Sequence, residues 1–232
     1  MNTTVFKRAL TMSLPVMGGY LVLGFAFGLL AVSSGIPWYF TTIMSLVVFA
    51  GSAQFVLVGL LTKSAPLMSI MVTILLVNSR HLFYGISFIG FFRTMERYRP
   101  YMIFSLTDET YAILSLVRNQ NIPEKEKREL SFSIAALDQS YWVIGSTIGA
   151  LFISFIPFDT SGVEFSMTAL FTVILIEQLK SGGHLSIAAA AVVSGTAFLL
   201  LFGAQGFLLP SLFFMLFSLL FVFSLGRRRN VV

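Results

Sequence analysis

Cysteine is absent from the 232-residue chain, which excludes disulfides, thiolate chemistry and cysteine-based metal sites. Histidine is nearly absent too: His81 and His184 are too few and too far apart to make a metal motif. Charge is scarce. Only 11% of the residues are charged, against about 25% in soluble domains. No P-loop occurs, so this chain alone drives no transport with ATP. Nothing pairs a base with a nucleophile in a recognisable frame, and no cofactor motif is present; the sequence reads as a non-enzyme without cofactor or metal.

What the chain has instead is apolar length. It is 56% hydrophobic, with 25 phenylalanines and a mean hydropathy of +0.88. A soluble core of this size cannot absorb that many phenylalanines without large exposed apolar patches. The net charge of +5 does not point to nucleic acid, because the cations fall at the ends of apolar runs. They stand at Lys7-Arg8, at Arg93, Arg97 and Arg99, at Lys125, Lys127 and Arg128, and at Arg227-Arg228-Arg229. That is the distribution of juxtamembrane anchors and orientation signals. Met1 to Leu14 has the short polar head of a signal peptide, but a long Gly-rich run follows without a small-residue cleavage site, so it reads as retained.

The expected fold class is an all-α polytopic membrane protein forming one integral-membrane domain over 1–232. About 20 apolar residues make one helical crossing. The segments by that measure are 13–33, 40–61, 66–92, 101–117, 131–157, 162–180, 184–203 and 206–226. Breaks are expected at Gly35-Ile36-Pro37, Lys63 to Pro66, Arg93 to Pro100, Arg118 to Glu129, Pro157 to Gly162, Ser181 to Gly183 and Gly203 to Gly206. Orientation by positive charge creates a conflict. The basic loops 93–99 and 118–129 flank a single segment and would lie on opposite sides of the bilayer. Either one loop breaks the rule or one segment is re-entrant. Segments 40–61 and 101–117 are the candidates, giving seven or eight membrane elements.

A weak repeat relates Tyr20-x3-Gly24-x3-Gly28 with Ile36-Pro37 to Tyr141-x3-Gly145-x3-Gly149 with Ile156-Pro157. The halves would be about 13–117 and 131–226. Small-x3-small spacing is also common in any membrane helix, where it lets backbones approach closely. On either reading, Gly24, Gly28, Gly145 and Gly149 belong at close helix crossings.

Candidate site residues cluster around Asn78-Ser79-Arg80-His81 and Tyr84, inside the apolar run from Leu67 to Phe92. A guanidinium at membrane depth costs at least about 2.5–3.5 kcal/mol on insertion scales. Arg80 needs a carboxylate partner or a route to the headgroups, and the apolar stretch Ile86 to Phe92 argues against the second. His81 serves as a titrating group or as a hydrogen-bonded structural one. Asp108 and Glu109, about 100° apart on a regular helix, are partners for Arg80, proton carriers, or the first turn of a helix capped by Thr107. Asp138 and Gln139 lie about 12–14 Å into their segment if it starts after Glu129. Gly51, Ser52 and Gln54 suit a bend that exposes backbone groups, or plain helix packing. Three acids against Arg80 leave at least one carboxyl for an ammonium or a proton, and Arg80 organises the site rather than carrying substrate.

Several motifs together resemble the AzlC family, the large subunits of bacterial branched-chain amino acid exporters. They are Pro15-x3-Gly19-Tyr20-x3-Gly24-x-Ala26-x-Gly28, Phe49 to Phe55, Asn78-x-Arg80-His81-Leu82-x-Tyr84-Gly85, Leu106-Thr107-Asp108-Glu109 and Leu137-Asp138-Gln139-x2-Trp142-Val143. Ser79 departs from the hydrophobic residue, most often Leu, expected there. The resemblance covers nearly the whole chain. It implies export of leucine, isoleucine, valine or similar apolar amino acids across the bacterial inner membrane. It also implies a small hydrophobic AzlD-type partner subunit. The substrate-binding or coupling residues are then expected among Gly51, Ser52, Gln54, Asn78, Arg80, His81, Tyr84, Asp108, Glu109, Asp138, Gln139 and Trp142. A passive channel, or an exporter of another amine-bearing solute, is the alternative.

Overall fold

The computed structural model describes residues 3–155 and 185–207, together with scattered positions as far as 218. Among the described residues every regular element is helical. In chain order these are α1 (Thr3–Ser33), α2 (Trp38–Val47), α3 (Gly51–Thr62), α4 (Leu67–Val77), α5 (Ser79–Arg93), α6 (Arg99–Phe104), α7 (Asp108–Arg118), α8 (Glu124–Phe155) and α9 (Leu185–Gly206). They fall into two units, residues 1–65 with 77–170, and residues 66–76 with 171–232.

Helix α1 has 31 residues and is roughly 46 Å long at 1.5 Å per residue, enough to cross a hydrocarbon core of about 30 Å. Among the described residues it is the one helix that meets both length and composition for a span by itself; α4 and α5 meet them as a bent pair. Helix α1 ends in a Schellman cap. Gly35 takes the left-handed conformation at φ 87°, its N–H donates to the Val32 carbonyl at 2.9 Å, and the Ile36 N–H to that of Ala31 at 3.0 Å. Pro37 then forbids continuation. The same device closes α3, with Ser64 at φ 50°, Ser64 N–H on the Leu61 carbonyl, Ala65 N–H on that of Leu60, and Pro66 following.

The backbone of the first unit is the pairing of α1 with α8. A Cβ on Gly24 would lie 2.9 Å from the Trp142 carbonyl oxygen, and one on Gly145 would lie 2.7 Å from that of Leu21. One turn on, Gly28 meets Ser146 and Gly149, and Gly149 meets the Phe25 backbone. Contact positions advance together along both helices, so α1 and α8 run in the same direction with their glycines in register. Small residues here allow backbone-to-backbone contact that any side chain would block.

Two interrupted helices flank this pair. Helix α2 runs against α8: Thr42 reaches Thr147 at 3.0 Å, whereas the Leu46 carbonyl accepts from Gln139 Nε2 at 2.9 Å. The chain reverses at Val48-Phe49-Ala50, where Phe49 has φ 38°. Helix α3 then returns beside α1. Phe49 packs on Tyr20 at 6.4 Å between ring centroids, and Phe55 on Phe27 at 5.4 Å. Segment 40–61 is therefore a hairpin that enters and leaves at one end of the unit.

The second hairpin comes from the opposite end. Tyr98 and Tyr101 stack on Phe132, and α6 climbs until Phe104 meets Phe49 at 6.3 Å. After Ser105-Leu106-Thr107 the chain descends as α7. Thr110 sits at the level of Asp138, and Ile113 and Val117 pack with Val5, Ala9, Leu130 and Ile134. Neither α6, of six residues, nor α7, of eleven, has the length of a span.

Arg8 donates to Glu126 at 2.9 Å and to Gln120 at 2.8 Å. Arg128 donates to the Thr94 carbonyl and to Glu96 at 2.7 Å. The amino-terminal turn of α1 and the basic loops 93–99 and 118–129 thus share one end of the unit, because α7 runs back along the way α6 came. The apolar run 66–92 also differs from a single element, being split at Asn78 into α4 and α5. Within the second unit, α9 carries a kink at Gly203 (φ 71°), and Phe198 packs on Phe202 and Phe214. The expected segments 162–180 and 206–226 lie largely outside the described residues.

Candidate functional site

The tips of the two hairpins meet beside the start of α5, so three helix amino termini converge: α3 at Gly51, α5 at Ser79 and α7 at Asp108. Each carries the positive end of a helix dipole. Helix α7 meets its own dipole with Asp108 and Glu109 in the first turn, whereas α3 has no acid there. Thr107, extended at φ −93° and ψ 176°, caps α7 by accepting from the Thr110 N–H. The capping role and the site role of this stretch coexist.

Arg80 bridges the two hairpins. Its guanidinium pairs with Asp108 and donates to Ser52 Oγ at 2.6 Å. Both partners lie in the first turn of a returning half-helix, and the pair is largely sheltered, with side chains 27% and 32% exposed. His81 does not join the ion pair, whereas Tyr84 lies beside its Asp108. His81 Nδ1 lies 3.2 Å from the Asn78 carbonyl, and Tyr84 stacks on Tyr111 at 4.7 Å.

The remaining acids lie apart from Arg80. Glu109 accepts from the Tyr20 hydroxyl at 2.7 Å. Asp138, with no exposed surface, accepts from the Thr110 hydroxyl at 2.9 Å. Gln139 bridges α6 to α2, accepting from Tyr101 at 2.7 Å and donating to the Leu46 carbonyl. Trp142 donates from its indole to Gln54 Oε1 at 2.9 Å, and Gln54 Nε2 reaches Ser45 at 3.3 Å. The Trp142 ring covers Gly51 so closely that an added Cβ would lie 2.9 Å from it. Gly51 therefore provides close ring-to-backbone packing, and Gln54 locks the hairpin to α8.

Buried polar atoms in folded proteins are nearly all satisfied. Among the described residues, Asn78 Oδ1, Arg80 Nε, Asp108 Oδ1 and Asp138 Oδ1 are buried without a hydrogen-bond partner. These four belong to residues of this centre; a fifth such atom is Ser131 Oγ, on α8. No group of three or more metal-ligating side chains occurs among the described residues.

Sequence reasoning did not single out Tyr20, Thr107, Thr110, Tyr101 and Ser45 as site residues. Each is a hydroxyl within an apolar run. Tyr20 and Thr107 stood inside motifs already noted, but as parts of a packing and a capping pattern.

The fold and its centre define an all-α membrane protein built around interrupted helices. The chain belongs to the AzlC family: the profile described as AzlC protein matches residues 15–156. It is 37% identical over 209 residues to the branched-chain amino acid transport protein AzlC of Bacillus subtilis, covering 89% of this chain and 81% of that protein. An uncharacterized membrane protein of Helicobacter pylori is 38% identical over 216 residues, covering 93% of each chain. The inner membrane protein YgaZ of Escherichia coli is 28% identical, covering 82% of this chain and 80% of that one. No solved structure matches the chain.

Proposed function

We propose that this protein is a secondary transporter of the inner membrane that exports branched-chain or similar apolar amino acids by alternating access, coupled to protons. A small hydrophobic membrane subunit of the AzlD type is its proposed partner. The observation that carries this reading is the meeting of two half-helix amino termini at the Arg80–Asp108 pair, within a family whose Bacillus subtilis member is named for branched-chain amino acid transport. Interrupted helices that meet around a charged centre are how transporters build a binding site in the bilayer. A zwitterionic substrate would present its carboxylate to the α3 amino terminus, which lacks an acid of its own. Its ammonium would face an acid that Arg80 does not neutralise, and the aliphatic side chain would lie against phenylalanines.

The same reading gives about eight membrane elements. In it α1, the α4–α5 pair and α8 cross, the sequence expectation of crossings at 162–180, 184–203 and 206–226 is kept, and α2–α3 and α6–α7 are re-entrant. Six crossings leave Lys7-Arg8, both basic internal loops and Arg227-Arg228-Arg229 on the cytoplasmic side, as positive charge favours.

Leucine efflux from preloaded cells tests the function. Asp138→Asn should abolish efflux while the protein accumulates normally in the membrane. Wild-type efflux in that variant would remove the site. Counterflow of alanine-type, branched-chain and aromatic amino acids in wild-type membranes then fixes the substrate class.

A further inference from the structure

A continuous row of oxygens joins the two acids that Arg80 leaves alone. Glu109 Oε2 lies 2.7 Å from the Tyr20 hydroxyl, which lies 2.7 Å from Thr107 Oγ1. Thr107 Oγ1 is 3.1 Å from Thr110 Oγ1, and Thr110 Oγ1 is 2.9 Å from Asp138 Oδ2. Every link is within hydrogen-bond range. The row passes from α7 to α1, back to α7 and on to α8. Glu109 at one end is exposed; Asp138 at the other is wholly buried.

Counting protons fixes the state of this row. Each hydroxyl carries one hydrogen, so Tyr20, Thr107 and Thr110 supply three for four links. With both acids ionised, one link is a bare contact between lone pairs. With one acid protonated, all four links are filled and the hydroxyls point in a single direction. The Thr110 N–H, 3.3 Å from Thr107 Oγ1, holds the central oxygen in place and leaves it one lone pair and its own hydrogen for the row.

We infer that Tyr20, Thr107 and Thr110 form a proton relay that carries a single proton between the buried Asp138 and the exposed Glu109. The inference rests on the proton-coupled transport reading above. In the outward step the Asp138 O–H bond breaks and its proton goes to Thr110. The Thr110 hydrogen passes to Thr107, that of Thr107 to Tyr20, and that of Tyr20 to Glu109. Asp138 ends as carboxylate and Glu109 as acid, with the three hydroxyls restored and reversed. The return step is the same sequence backwards. The other charged or titratable groups here are committed elsewhere. Arg80 on α5 holds Asp108, His81 faces the Asn78 carbonyl, Tyr101 on α6 donates to Gln139, and Tyr141 on α8 meets Ser13 of α1 at 3.1 Å. The relay residues are positioning groups for the proton and make no claim on the substrate.

The test uses everted membrane vesicles from cells making the full-length protein, with radiolabelled leucine as the probe. Accumulation driven by an acid-inside pH gradient is compared with counterflow at equal pH, in which substrate exchanges for substrate and no proton is moved. Thr110→Val and Tyr20→Phe, which remove hydroxyls at nearly constant shape, should lower gradient-driven accumulation by about a hundredfold while counterflow persists. Thr110→Ser, which restores the oxygen, should recover it. Deuterium oxide should slow gradient-driven uptake by the wild-type protein but not its counterflow, a comparison that needs no variant. Wild-type accumulation in both hydroxyl-free variants would overturn the relay, as would loss of counterflow together with accumulation. A wild-type protein that counterflows leucine but ignores the gradient would overturn the relay and leave the transport reading standing. Absence of any amino-acid counterflow would overturn the transport reading itself.

Discussion

Gly28→Ala strongly destabilises the folded protein, whereas Gly18→Ala, on the same helix, leaves its stability intact or slightly raised. A Cβ at Gly28 would overlap the Ser146 carbonyl oxygen and lie 2.5 Å from the Ala150 nitrogen and 3.0 Å from the Gly149 carbonyl carbon. All three are backbone atoms of α8, so no rotamer change relieves the clash. Helices α1 and α8 must move apart. Overpacking costs about 1–3 kcal/mol, occasionally more, and a clash against rigid backbone belongs at the upper end. The separation also loosens the layer in which Tyr20 packs on Trp142 at 5.5 Å, on which the hairpin tips rest. A Cβ at Gly18 meets nothing within 4 Å, and Ala is favoured over Gly by about 1 kcal/mol in a helix interior. Melting of the two variants in detergent, followed by size-exclusion chromatography, measures both. Equal melting temperatures would refute the packing described for α1 and α8.

The second large effect is on the ion pair. Arg80→Ala leaves Asp108 without its cation, and breaking a buried pair by removing one partner costs about 3–5 kcal/mol. The remaining exposure of both side chains moderates that figure. Arg80→Ala should therefore lower the amount of protein in the membrane, not only its activity. The double variant Arg80→Gln with Asp108→Asn removes both charges and keeps hydrogen-bonding groups. It should accumulate better than Arg80→Ala alone, with a coupling of about 0.5–3 kcal/mol, and remain inactive. Quantitative immunoblotting of the wild type, Arg80→Gln, Asp108→Asn and the double variant gives the cycle. Additive losses would mean that the two side chains do not hold the hairpins together.

How much of this was legible in the sequence depends on what marks each break. The turns after α1 and α3 were readable, because Gly35-Ile36-Pro37 and Ser64-Ala65-Pro66 place a left-handed residue and a proline where a helix must stop. The start of α7 was half legible. Thr107-Asp108-Glu109 reads as a cap and as a source of partners for Arg80, and the structure adds that Asp108 rather than Glu109 makes the pair. Position 78 gave no warning of a break, because Asn78 has uniformly helix-compatible neighbours on its amino-terminal side. The first apolar segment, 13–33, is part of a longer helix that begins at Thr3, ahead of Lys7 and Arg8. A helix runs through such cations when they reach partners beyond its end, as Arg8 reaches Glu126.

The hydroxyl row was not legible at all. A threonine in an apolar run commonly satisfies itself on its own helix carbonyl, and Thr42, Thr62 and Thr94 do so here. Nothing local separates them from Thr107 and Thr110. What differs is the approach of Tyr20 and Asp138 from α1 and α8, set by glycines far along the chain. Three acids could be listed from the sequence, but which of them Arg80 neutralises is a property of the hairpins.

The central claim is that α2–α3 and α6–α7 each return to the end from which they came, so that their tips meet at Arg80. Because the chain has no cysteine, single cysteines at Ser34, Lys63, Arg97 and Asn119 test it cleanly with a membrane-impermeant maleimide on intact cells. The account predicts that Ser34→Cys and Lys63→Cys label together from outside, and that Arg97→Cys and Asn119→Cys label only after permeabilisation. Ser34→Cys and Lys63→Cys on opposite sides, or Arg97→Cys and Asn119→Cys on opposite sides, would make the corresponding hairpin a crossing and contradict it.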